Sequence, residues 1–78
     1  MNIHISHIYE GLMNLQFGTK LREIREEKRF PIGLVAQHIK IEIRTIVSIE
    51  LNKQTLTSDQ LKQVCILYGI TKDDLLSN

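Results

Sequence analysis

Residues 31–51, PIGLVAQHIKIEIRTIVSIEL, hold the feature that most constrains this chain: two short apolar runs at helical spacing, separated by only a few residues. Pro31 suits the first turn of a helix, where its missing N–H is not needed. Val35, Ala36 and Ile39 then fall on one face, and in the second run Ile46 and Ile49 recur three residues apart. Lys40 to Glu42 are left for the connection, so two short helices must turn sharply on each other and share one core.

Two short helices joined by a tight turn form the helix-turn-helix pattern. The rest of the chain supplies helices to pack around it. Phe17, Leu21, Ile24 and the stem of Lys28 form one stripe, which makes FGTKLREIREEK a first amphipathic helix with Arg and Glu outside. Thr57 with Gln60 is a capping-box signature, and Gly69 lies where a helix ends in a left-handed residue. Between them Leu61, Val64, Cys65 and Tyr68 make a fourth helix with one apolar stripe. Thr71 caps a short last helix, KDDLLS, whose Asp73 and Asp74 suit its positive N-terminal end. The expected fold is all-α, five helices over residues 17–78 with no core strand. Residues 1–16 form a separate N-terminal element: Ile3 and Ile5 alternate as in a strand, whereas Ile8, Leu12 and Leu15 drift toward helical spacing. A strand-like arm, an extra helix and a partly ordered tail all fit.

At 78 residues, 42% of them hydrophobic, the chain has material for one small core, marginal alone and helped by dimerisation. A single cysteine, Cys65, closes no internal disulfide and makes no cysteine-based zinc site, which fits a reducing cytoplasm. No apolar run approaches the roughly 20 residues that span a bilayer, and no basic segment followed by an apolar stretch opens the chain, so a soluble, untargeted protein is expected. Net charge is only +1, but Lys20 to Lys53 carry eight Lys or Arg against five Glu, so positive charge is concentrated in the middle third. That pattern alone also fits the solvated faces of ordinary helices.

From Phe17 to Leu76, LREIREEK, VAQHIKI, TIVSIELNK and LKQVCILYGITKDDLL follow one another in an order and spacing that resemble the λ-repressor and Cro type of helix-turn-helix domain, the XRE family. REEKRFPIGLVAQHIKI is similar, more loosely, to small regulators that accompany restriction-modification genes. The resemblance implies a five-helix DNA-binding domain whose third helix enters the major groove, a two-fold dimer and a pseudo-palindromic operator. It also implies an ion pair between Arg25 and Glu50 that joins the first helix to the end of the third and reads nothing itself. Three positions depart from the family pattern. Ile32 and Gly33 stand where members place a phosphate-touching Gln, Lys40 replaces the Gly of the turn, and Asn52 replaces the Gly after helix 3, a mild change because Asn tolerates the left-handed conformation.

With Ile46 and Ile49 in the core, Ile43, Arg44, Val47 and Ser48 are the outward residues of helix 3 and the candidate base readers. The Arg44 fork matches guanine O6 and N7, a contact worth about 1–3 kcal/mol of discrimination; a phosphate contact or a pair with Glu42 is an equal alternative. Ser48 bonds many base edges and specifies little. Ile43 and Val47 can press only on thymine methyls or on another protein. Gln37, Lys40, Thr45 and Lys53 lie where the family grips phosphates. Ile66, Leu67, Leu75 and Leu76 offer apolar surface for a dimer, though some of them belong equally well to a core. His4, His7 and His38 have no carboxylate or cysteine at ligand spacing, so no metal is expected. No nucleophile–base set and no Gly-rich phosphate loop stand out, so neither an enzyme activity nor a cofactor is expected. Two functions remain: a dimeric transcriptional regulator on double-stranded DNA, or a protein-interaction module that uses Leu34, Ile43 and Val47 as an apolar patch.

Overall fold

A computed structural model describes residues 17–76. All regular structure among them is helical: α1 (residues 17–27), α2 (Ile32–Ile39), α3 (Ile43–Glu50), α4 (Ser58–Tyr68) and α5 (Lys72–Leu76). The expected all-α, five-helix architecture is therefore the one found. The alternatives for residues 1–16, with His4 and His7, lie outside the described residues.

Helices α2 to α5 are each too short to persist alone in water, where about 12–15 residues are needed, so their stability is tertiary. Each contributes to one core. Leu21 comes from α1, Val35, Ala36 and Ile39 from α2, Ile46 and Ile49 from α3, Val64, Cys65 and Tyr68 from α4, and Leu75 from α5, all buried. Tyr68 and Val35 are the largest fully buried side chains, at 2% and 1% exposure. Burial pushes the Tyr68 phenol up to about 12, with the neighbouring Glu50 carboxylate acting in the same direction and Arg25 opposing it. Burial also raises the Cys65 thiol.

Helix ends are where the structure adds most. The first four helices each finish with a left-handed residue, Arg29 (φ 60°), Lys40 (φ 61°), Asn52 (φ 63°) and Gly69 (φ 70°). In each, the amide of the following residue turns back to a carbonyl five positions earlier: Phe30 to Arg25, Ile41 to Ala36, Lys53 to Ser48 and Ile70 to Cys65, at 2.9–3.0 Å. Only the last of these ends has the expected glycine. The starts divide in two. Thr57 and Gln60 make the expected reciprocal capping box on α4, and Thr71 and Asp74 make a second one on α5, so Asp74 closes a cap as well as facing the helix dipole. By contrast, α2 and α3 start on Pro31 and Glu42 in extended conformation with no side-chain cap.

Two expectations are corrected. Lys28 is exposed and lies past the end of α1; the place expected for its stem falls to Phe30, half-buried against the core with its ring 6.0 Å from that of Tyr68. Pro31 sits just before α2 rather than inside its first turn, and it serves through its carbonyl, which accepts from the amides of Leu34 at 3.0 Å and Val35 at 3.4 Å.

Candidate nucleic-acid interface

The eight residues of α3 divide by helical period into three faces. Ile46, Ile49 and Glu50 point inward and are buried. Thr45 and Ser48 are half-buried. Ile43 and Val47, one turn apart, are exposed at 50% and 40%, and Leu51 extends the same line at 51%. The sequence reading did not include Leu51, although its spacing of four from Val47 carried the signal. Arg44 lies beside this stripe with its side chain 84% exposed.

What fixes α3 in place is a set of long-range contacts at its C-terminal end. Arg25 Nε and Nη2 donate to the two carboxylate oxygens of Glu50 at 2.7 and 3.1 Å, and Nη1 donates to the Phe30 carbonyl at 3.0 Å. The side chains are 13% and 7% exposed, so this forked pair is nearly dry, and the bond to Glu50 raises the guanidinium pKa further. It ties α1, the α1–α2 loop and the last residue of α3 into one unit.

Asn52 forms a second tie. Its Oδ1 accepts from the Gly18 amide at 2.9 Å, while its Nδ2 donates to the Thr19 hydroxyl at 2.9 Å. Gly18 lets the backbones come this close: a Cβ there would run into the Ile49 carbonyl and sit 2.6 Å from Asn52 Oδ1. Asn52 therefore tolerates the left-handed conformation, as its chemistry suggests, and also clasps the end of α3 to α1 across 34 positions of sequence.

Around the stripe, the turn residue Lys40, Gln37 on α2 and Lys53 just past α3 are exposed, as is His38. Lys40 owes its direction to its left-handed backbone, whose amide donates to the Ala36 carbonyl. Arg44 is held loosely: its Nε and Nη2 lie 3.3 and 3.4 Å from the Glu42 carboxylate, and both partners are largely solvated. An exposed pair at the limit of hydrogen-bond distance contributes little and opens readily. Opposite α3, Leu34 on α2 is 42% exposed, and Gly33 backs Ile43, whose Cδ1 lies 3.8 Å from the position a Cβ would take.

The surface expected for dimer contacts is reduced. Leu75 is core at 4% exposure, Leu67 is half-buried against the core, and Ile66 remains open at 69%. Ile66 borders a shallow cleft between α4 and α5, floored by Leu61, Cys65 and Ile70 and flanked by Lys62 and Lys72. Among the described residues no group of His, Cys, Asp and Glu is placed to hold a metal ion, and no helix is long and apolar enough to cross a membrane.

Residues 18–78 match a family model described as a helix-turn-helix domain. No curated protein and no solved structure matches the chain.

Proposed function

The chain belongs to the helix-turn-helix domain family, of the Cro and λ-repressor type, and from that premise we propose that it is a sequence-specific, DNA-binding transcriptional regulator of the cytoplasm, acting as a homodimer on a pseudo-palindromic operator. The observation that carries the reading is the exposure of Arg44 on a helix anchored only from behind. Ile46 and Ile49 in the core, the Arg25–Glu50 fork and the Asn52 clasp hold α3 by its inner face and C-terminal end, which leaves the outer face of its N-terminal half open to a major groove.

In this reading Arg44 leaves its weak partner Glu42 to fork onto guanine O6 and N7, Ile43, Val47 and Ser48 meet neighbouring base edges, and Gln37, Lys40, Thr45 and Lys53 hold phosphates. Arg25 and Glu50 touch no DNA and orient the helix. A monomer of net charge +1 binds DNA weakly, and two copies spanning half-sites about 34 Å apart remedy that, with the open Ile66 surface as the apolar part of their contact.

Fluorescence anisotropy against a random duplex and against the DNA upstream of the protein's own coding sequence, at two salt concentrations, tests the reading. About four phosphates neutralised per monomer give a log–log salt slope of about −0.9 per contact. Absence of binding at low salt refutes the regulator. Binding whose sequence preference survives Arg44→Ala refutes the role given to Arg44.

One observation favours a second reading, a protein-interaction module on the same fold. Leu34 on α2, Ile43 and Val47 on α3, and Leu51 just after it leave four large apolar side chains at least 40% exposed.

A further inference from the structure

Helix α3, IRTIVSIE, contains neither Asn nor Gln, the side chains whose amides pair in two-pronged fashion with the adenine edge. Its exposed N-terminal half offers one guanidinium and an apolar ridge, Ile43 and Val47, 50% and 40% open and one helical turn, about 6 Å, apart. The ridge is backed rather than loose, since Ile43 Cδ1 lies over Gly33, where α2 has no side chain to lift it away. Exposed cations lie near it along the chain: Arg44 on α3 itself, Lys40 in the turn before it and Lys53 after it, with Glu42 as the acidic neighbour that pairs with Arg44. An apolar ridge with cations close by in the chain complements a polyanion that carries an apolar group. In the major groove that group is the C5 methyl of a pyrimidine, carried by thymine and equally by 5-methylcytosine and absent from uracil and cytosine.

Resting on the DNA-binding reading above, we infer that Ile43 and Val47 form a contact surface for the C5 methyl of pyrimidines, so that the protein's discrimination at those positions is between methylated and unmethylated C5 rather than between base-pairing edges. The ligand class is thymine or 5-methylcytosine. An A·T pair is recognised through its thymine, and cytosine methylation converts a poor site into a better one. Burying one methyl changes affinity about fourfold, so removing one from each half-site of a dimer weakens binding about 15-fold.

The test starts from duplexes selected out of a random pool by the full chain, remade with deoxyuridine for each thymine in turn and with 5-methylcytosine for each cytosine, and measured by anisotropy. Expected are at least one position where uracil weakens binding about 15-fold in the symmetric duplex, and a thymine-to-uracil ratio that falls toward one in Ile43→Ala or Val47→Ala. Cytosine placed at that position binds more tightly when methylated. Both side chains are half-exposed, so truncating them leaves the core intact, which circular dichroism checks. If thymine and uracil duplexes bind alike at every position, the inference is overturned while DNA binding stands. If the ratio is large but unchanged in both variants, the methyl is read elsewhere and the inference is equally overturned. If no duplex of either kind is bound at low salt, the DNA-binding reading fails and the ridge belongs to a protein partner.

Discussion

Replacing Arg25 with alanine removes three hydrogen bonds at once, those to Glu50 at 2.7 and 3.1 Å and that to the Phe30 carbonyl at 3.0 Å. It leaves the Glu50 carboxylate in place at 7% exposure with neither of its guanidinium donors. Stranding one member of a buried pair costs about 3–5 kcal/mol, whereas a domain of this length has only about 4–12 kcal/mol in total at 0.05–0.15 kcal/mol per residue. Arg25→Ala should therefore remove about a quarter of the stability or more. Glu50→Ala should lie at or below the lower end of that range, because the guanidinium left behind is 13% exposed, keeps its Phe30 partner and sits at the end of a long stem that can turn toward water. Replacing both by apolar residues of similar volume, Arg25→Met with Glu50→Leu, should recover most of the loss, since a dry ion pair adds little over a well-packed apolar one. Urea unfolding followed by helical circular dichroism measures all three, with an unchanged m-value required for the comparison. A loss below about 1 kcal/mol in Arg25→Ala, or a double variant less stable than that single one, would refute the view that desolvated charge governs this contact.

Three further predictions concern other parts of the fold. Gly18→Ala should lower the melting temperature by roughly 5–15 °C, because its Cβ meets the Ile49 carbonyl and forces α1 away from α3 at a cost of about 1–3 kcal/mol; an unchanged thermal transition would show that the two backbones can separate freely. Lys40→Gly should raise the urea midpoint slightly, because a non-glycine residue at φ 61° bears about 1 kcal/mol of strain, partly offset by the greater freedom of glycine in the unfolded chain. If Lys40 also touches phosphate, the same variant binds DNA more weakly and with a shallower salt slope. Tyr68 should make the fold alkali-labile: its phenol is held at about 12 against 10.0 when unfolded, so the contribution is complete below pH 10 and is lost as pH rises from 10 to 12, by about 3 kcal/mol at 1.4 kcal/mol per unit. Tyr68→Phe should flatten stability across that window; an equal decline in the variant would assign the loss to other groups.

Sequence alone determined what depends on neighbours a few positions away. The stripe of Val35, Ala36 and Ile39, that of Val64, Cys65 and Tyr68, the Thr57–Gln60 box and the left-handed Gly69 follow from helical period and local hydrogen bonding, and all occur as the residues imply. With the stripes of Leu21 and Ile24 and of Ile46 and Ile49, and the Thr71 cap, they are enough to specify five helices and the turn between α2 and α3.

Tertiary structure decided what depends on contacts distant in sequence. Nothing near Asn52 announces that its side chain binds α1, because Gly18 and Thr19 come within reach only when the two helices pack together. Arg29 and Lys40 carry helix-ending backbones that their side chains disfavour; the residues after them, Phe30 and Ile41, pack against the core, and their amides close the two helix ends. Leu75 and Ile66 look equally apolar in sequence, yet α5 turns one into the core and α4 leaves the other in solvent, since which side of a short helix is covered depends on where its neighbours lie. The same reason makes Ile43, Val47 and Leu51 a surface: they have the composition of a core stripe, and it is the docking of α3 through Ile46, Ile49 and Glu50 that leaves them facing out.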